Sequence, residues 1–194
     1  MSPPDIKSNK HGVYVPHIRQ AYDYSCGAAC LASVLHYWGV WDGREPELYP
    51  LCGTTCEGTS GKGIIEVAKS FDLDVSSRSS LDEEDLRGLL VEGYTVILSI
   101  QAWGNYDDDT NMNEIWDDGH YVVLVDIDDQ FVYLMDPAVA GSYYRMPISE
   151  LMDCWHDYSD TGEHDWHAGI IIRGQEPALA LRPVGIATYS DLNL

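Results

Sequence analysis

Near residue 93 the apolar residues of this chain change their period, and that change limits the folds open to it. Before it they recur at three- and four-residue steps, the spacing that gathers side chains on one helix face; after it they form short β-branched and aromatic runs. From Cys26, the residues Ala28, Leu31, Ala32, Leu35 and Trp38 follow the helical step and stop at Gly39, which predicts a helix ended by a glycine cap. Further helices are expected over Gly63 to Phe71 and Leu81 to Val91, the second from Ser80 and Glu83 at capping-box spacing and from Gly93 at its end. The runs "YTVILSIQAW", "HYVVLVDI", "FVYLMDP" and "HAGIIIRG" read as strands, with a short helix in "PISELMDCWHD" before the last. Helices first and strands second imply an α+β domain, its N-terminal helices packed on a C-terminal antiparallel sheet.

With 194 residues, 45% of them apolar, the chain can bury a core as one domain. The expected boundaries are an N-terminal extension over 1–15, the domain over 16–175 and a C-terminal tail over 176–194. A balance of 32 acidic against 11 basic residues gives a formal charge of −21, which repels a phosphate backbone and an anionic bilayer. Nucleic acid and membrane are therefore not expected partners. A basic or amine-bearing ligand would be attracted, although a solubility or high-salt adaptation explains the same charge equally well. The opening "MSPPDIKSNKHG" lacks the apolar stretch of a signal peptide, and no later run has the length of a membrane span, so a cytoplasmic location is expected. Five cysteines without a secretion signal then read as free thiols.

Attack of cysteine on a carbonyl needs a thiolate, a base to activate it, a group that orients the base, and donors for the oxyanion. Cys26 opens the strongest predicted helix, where unpaired backbone N–H groups and the positive dipole end favour a thiolate. Cys30, one turn inside on the apolar face, reads as packing. His120 opens one strand and Asp136 closes the next. In an antiparallel hairpin centred near residue 128 the two lie opposite each other, with the carboxylate placed to hold the imidazole in one tautomer.

The stretch "Q-x5-C-G-A-A-C-L" opening a helix, followed by "GHYVVLVDI" and "VYLMDP", resembles the C39-like cysteine peptidases, a branch of the papain-like superfamily. The resemblance runs from about Gln20 to about Asp157 and implies a papain-like fold, a peptide or protein substrate and no cofactor or metal. It also implies a catalytic set of Cys26 as nucleophile, His120 as base, Asp136 as its orienting carboxylate and Gln20 as an oxyanion donor. Related papain-like enzymes transfer the acyl group to an amine or thiol instead of water, and a catalytically silent peptide-binding module is a further alternative. The acidic stretch "GNYDDDTNMNEIWDDG" before His120 is not part of the family pattern and is expected to shape the cleft mouth or select basic substrates.

The remaining motifs carry weaker chemistry. Asp107, Asp109, Asn111 and Asn113 have the alternate spacing of a calcium loop, but Met112 stands where glycine belongs and Asp118 where glutamate does, so the stretch reads as a solvated loop. Cys52 and Cys56 lack a second ligand pair for zinc and read as a loop or helix-edge pair. His164 and His167 are too few for a closed metal site and are expected on the surface or rim, whereas Cys154 reads as helix packing.

Overall fold

The computed structural model describes residues 12–102, 111–140, 143–178 and 186–188. Asp107 and Asp109 of the candidate calcium loop, Trp103 and most of both terminal segments lie outside the described residues. In chain order the elements are α1 (Cys26–Tyr37), a 3-10 turn (Glu45–Leu48), α2 (Tyr49–Cys52), α3 (Gly61–Ser70), β1 (Asp74–Arg78), α4 (Glu83–Val91) and β2 (Thr95–Gln101). A second 3-10 turn (Met112–Glu114), β3 (Gly119–Ile127), β4 (Phe131–Met135), β5 (Tyr143–Pro147), α5 (Ile148–Cys154), β6 (His156–Tyr158), β7 (His164–Trp166), β8 (Gly169–Arg173) and β9 (Ile186–Thr188) follow.

The helix expected from Cys26 is α1, and Gly39 beyond its end takes φ 65, the left-handed geometry a glycine cap needs. Its surroundings differ from a simple amphipathic pattern. All of α1 from Cys26 to Leu35 is buried, as is Tyr37, so the helix is enclosed on every side. That is tolerable because its polar members are paired: Ser33 Oγ donates to the Pro16 carbonyl at 2.6 Å, and Cys30 Sγ to the Tyr121 carbonyl at 3.2 Å.

Among the described residues seven strands form one sheet in the order β1-β8-β2-β3-β4-β5-β9, and β6 pairs with β7 in a separate small hairpin. Every pairing in the large sheet is antiparallel except β5 with β9, a strand of the tail. The edge strand β1 was not expected: "DVSSR" buries only Val75 and so carries no alternating apolar signal. In β2 and β3, residues of both parities are buried, Val96 to Leu98 and Val122 to Val125, which shows that both faces of the central strands are covered. α1 packs on β3, and α4 and α5 also lie against the central strands.

Helix α4 starts differently from expectation. Asp82 and Asp85, not Ser80 and Glu83, form the reciprocal capping box. Ser80 sits at φ 57 with its N–H donating to the Trp166 carbonyl, and Leu81 N–H donates to His167, so both residues are tied to the β7–β8 connection before the helix begins.

The hairpin of β3 and β4 also has a register other than the symmetric one expected. Ile127 pairs with Val132 and Asp126 with Tyr133; after an irregularity at Val125, Leu124 pairs with Leu134 and Val123 with Met135. Extended by one residue, this register sets Asp136 level with Val122, so His120 is its diagonal neighbour. Without the extra residue the side chains of 120 and 136 would fall on opposite faces; the bulge returns them to the same one. The carbonyl of Val125 accepts a 2.7 Å hydrogen bond from Val13 N–H, and Tyr14 Oη–H donates to Asp126 at 2.9 Å. The segment Val13–Val15 is buried and holds the bulge in place.

Candidate active site

Cys26 is the first residue of α1, and the preceding Ser25 makes no side-chain cap: its hydroxyl is turned back to Tyr22 O at 3.0 Å. The first-turn N–H groups are thereby left to the residue at the helix mouth, where the positive end of the dipole favours negative charge. Gly27 explains the "C-G" pair. A Cβ there would lie 2.9 Å from Thr59 Cβ and 3.0 Å from a Tyr121 ring carbon, so only glycine lets α1 seat Cys26 this close to β3.

His120 is 3% exposed, in β3 opposite Ile100 of β2. Its Nε2 lies 2.7 Å from Asp136 Oδ1, and Asp136 is wholly buried. Because Nε2 meets an acceptor there, it carries the proton of the neutral ring, and Nδ1 is the nitrogen that can act on Cys26, which is near enough to shift the imidazole pKa. Burial alone would lower the histidine pKa; the bonds to Asp136 and Cys26 outweigh it and push it up to about 9. Asp136 Oδ1 also accepts from Ala138 N–H at 2.8 Å, and His17 Nε2 lies 3.0 Å from the Asp136 carbonyl. The carboxylate that faces the imidazole is thus fixed by its own turn.

Gln20 is joined to the same turn by its backbone, N–H to Pro137 O at 2.9 Å. Its side-chain Nε2 donates to the carbonyls of Tyr22 at 3.0 Å and Asp23 at 3.2 Å, while Oε1 is buried without a partner. The amide therefore braces the loop that leads into Cys26, and donating to another oxygen requires it to exchange one of these bonds. The structure joins His120 to Asp136 by a buried hydrogen bond, places Cys26 near enough to the imidazole to raise its pKa, and ties Gln20 to the turn that follows Asp136.

The Peptidase C39 family model matches residues 14–159. The chain belongs to this family. A protein of Methanothermobacter marburgensis described as uncharacterized is 32% identical over 131 residues, 68% of this chain and 78% of that protein. A C39-like peptidase from Bacillus anthracis superposes with a TM-score of 0.63 at 19% identity, covering 84% of this chain and 96% of that one. The peptidase domain of Streptococcus ComA, a bi-functional ABC transporter, gives 0.61 at 20% identity over 84% and 100%. A double glycine motif protease from an AMS/PCAT transporter, solved with its leader peptide, gives 0.60 at 23% over 86% and 96%. The C39 fold, of papain-like type, is therefore shared by this chain.

Outside this constellation the C39 chain places its other reactive side chains as follows. Cys30 and Cys154 are buried in the core; burial raises both thiol pKa values. Cys52 ends α2 and is buried, Cys56 is exposed in the next turn, and both are free thiols. His164 is exposed with its ring stacked on Trp116, centroids 3.8 Å apart. His167 is not a rim residue: it is half-buried at φ 53, stacks on Trp155, and its ring nitrogens meet the carbonyls of Leu81 and Met152. Among the described residues no group of three or more His, Cys, Asp or Glu side chains is arranged to hold a metal ion. None of their helices is long and apolar enough to cross a membrane.

One supporting network was not read from the sequence. Asp157, at the start of the small hairpin, accepts from Ser99 Oγ at 2.6 Å and from Gln101 Nε2 at 3.4 Å. A Cβ on Gly119 would come within 2.6 Å of the same carboxylate, which accounts for the glycine before His120. Ser99 and Gln101 face Tyr121 and Gly119 across the β2–β3 ladder, so the network clamps the backbone on both sides of the histidine. Their alternate spacing in β2 was the available signal, hidden by an otherwise apolar strand.

Proposed function

We propose that this C39 chain is a thiol peptidase acting through Cys26, His120 and Asp136. The thiolate of Cys26 attacks the peptide carbonyl carbon, and the oxyanion that forms is held by the Cys26 backbone N–H and the Gln20 amide. His120, protonated, gives its proton to the leaving amine as the C–N bond breaks, leaving a thioester on Cys26. A water then loses its proton to His120 and attacks the thioester, which releases the acid and regenerates the thiolate. Asp136 keeps Nε2 protonated so that Nδ1 addresses the sulfur. The observation that carries this reading is the buried 2.7 Å His120–Asp136 bond, and the influence of Cys26 on the imidazole supports it. A peptide substrate is supported by the likeness to the protease solved with its leader peptide, and the charge of −21 favours a basic one.

Alkylation tests it directly. Iodoacetamide at pH 6 is expected to modify Cys26 in preference to Cys56, which is exposed beside the Glu57 carboxylate with Sγ 3.7 Å from it. Peptide mapping that finds Cys56 modified and Cys26 intact would sink the thiolate. Gln20→Ala is expected to lower kcat about a hundredfold with KM little changed, because one oxyanion donor is lost while the Cys26 N–H remains. Steady-state kinetics that show only a higher KM would instead make Gln20 a binding residue.

A further inference from the structure

The hairpin of β6 and β7 carries a group of rings that the proposed chemistry does not use. Trp116 stacks on His164 and meets Trp166 edge-on at 5.2 Å between centroids; His156 lies 4.5 Å from Trp116 and 4.6 Å from Trp166, and Tyr158 lies 5.2 Å from His164. Such a cluster is ordinarily a core. Here Tyr158 is 47% and Trp166 38% exposed, and the His164 ring is exposed as well.

The surroundings are all of one sign. The segments 111–119 and 156–167 that build the cluster contain Glu114, Asp117, Asp118, Asp157, Asp160, Glu163 and Asp165 and not one lysine or arginine. Lys62, whose backbone N–H meets Asp160, directs its ammonium to Glu66 at 3.8 Å. Within the cluster, His156 donates from Nε2 to the Ile115 carbonyl at 2.8 Å, which leaves the buried Nδ1 an acceptor with no donor. Exposed ring faces, unneutralised carboxylates and a vacant acceptor all ask for the same thing, a cationic N–H group on an apolar stem.

The position relates this surface to the reacting atoms. Trp116 precedes His120 by four residues, at most about 14 Å of chain, and Asp157, between His156 and Tyr158, rests on Gly119 next to the histidine. We propose that the Trp116, Tyr158, His164 and Trp166 rings form a subsite for an arginine or lysine side chain of the peptide substrate, lying within about four residues of the scissile bond. This rests on the peptidase reading and adds to it the substrate feature that is recognised and the residues that recognise it. The stem lies on the rings, and the cation faces the carboxylates of the hairpin.

Binding to the full chain carrying Cys26→Ala separates the subsite from catalysis. Pools of acetylated hexapeptides that share one fixed residue, either arginine, citrulline or norleucine, are titrated while tryptophan fluorescence is followed. Arginine pools are expected to bind about tenfold tighter than the two neutral pools, an advantage that shrinks in high salt. Trp166→Leu, and independently Tyr158→Leu, should each reduce the preference severalfold while norleucine binding stays unchanged. Equal binding of the three pools, or a preference that survives both substitutions in proteins with unaltered circular dichroism, overturns the subsite. The same pools offered to the unsubstituted chain distinguish the two readings: cleavage without preference removes the subsite and keeps the peptidase, whereas arginine-selective binding without cleavage keeps the subsite and removes the peptidase.

Discussion

Replacing Cys26 by alanine is expected to lower peptide hydrolysis by about four orders of magnitude or more, the effect of deleting the nucleophile from a set of residues that act as a unit. Stability should move little. Cys26 is buried at the mouth of α1, and alanine keeps its Cβ and its helical preference. The loss is therefore chemical, and thermal unfolding measured beside the kinetics distinguishes it from misfolding. Serine at the same position is the stricter variant. It nearly preserves volume and polarity but replaces a thiol by a hydroxyl, which is intrinsically far harder to ionise, so it should be as inactive as alanine if the imidazolium–thiolate pair is the working state. Hydrolysis by Cys26→Ala within tenfold of the original would remove Cys26 from the reaction.

The second large effect concerns Asp136. Asp136→Ala is expected to lower kcat/KM by about a thousandfold or more and to destabilise the fold by about 3–5 kcal/mol, since it leaves His120 buried without its charged partner. Asp136→Asn should be far milder. Oδ1 receives hydrogen bonds from both His120 Nε2–H and Ala138 N–H, so an asparagine turns its oxygen to that place and preserves the tautomer that presents Nδ1 to Cys26. What it loses is charge.

That loss is readable in pH dependence. The His120 pKa is raised to about 9 in the folded protein, from an ordinary value of 6.5. A raised histidine pKa stabilises the fold fully below pH 6.5, and the contribution disappears as pH climbs from there through 9. For a group this buried it is worth up to about 3 kcal/mol. The alkaline limb of kcat/KM should accordingly lie near pH 9 and move down in Asp136→Asn, with the alkaline decline in melting temperature moving down with it. An unchanged alkaline limb in the asparagine variant would show that Asp136 does not govern the ionisation of His120.

Much of this site is legible in the sequence. The period-3.6 pattern that begins at Cys26 placed a helix N-terminus on the nucleophile candidate, and Gly39 marked its end, because helical spacing and capping are local properties of a few consecutive residues. The strands β2, β3, β4 and β8 were equally plain, as sheet centres require β-branched and apolar residues on both faces. The edge strand β1 and its counterpart β5, next to the far edge, were not. β1 buries one side chain and β5 follows a turn, so neither carries an alternation strong enough to read. The clamp of Ser99, Gln101 and Asp157 was hidden for another reason: it joins residues 56 to 58 positions apart, and no local pattern encodes that contact.

The meeting of His120 and Asp136 shows where local information stops. Sequence placed one at the start of a strand and the other at the end of the next, and a hairpin between them follows from their turn and their period. Which faces they present does not. A four-residue turn with unbroken pairing puts the two side chains on opposite sides of the sheet, and one additional residue at Val125 reverses that. The bulge persists because its carbonyl finds the N–H of Val13 and because Tyr14 reaches Asp126, contacts with a segment more than a hundred residues away. The chain order was thus enough to nominate a cysteine, a histidine and a carboxylate. Their alignment depends on long-range hydrogen bonds that select one register among those the hydrophobic pattern allows.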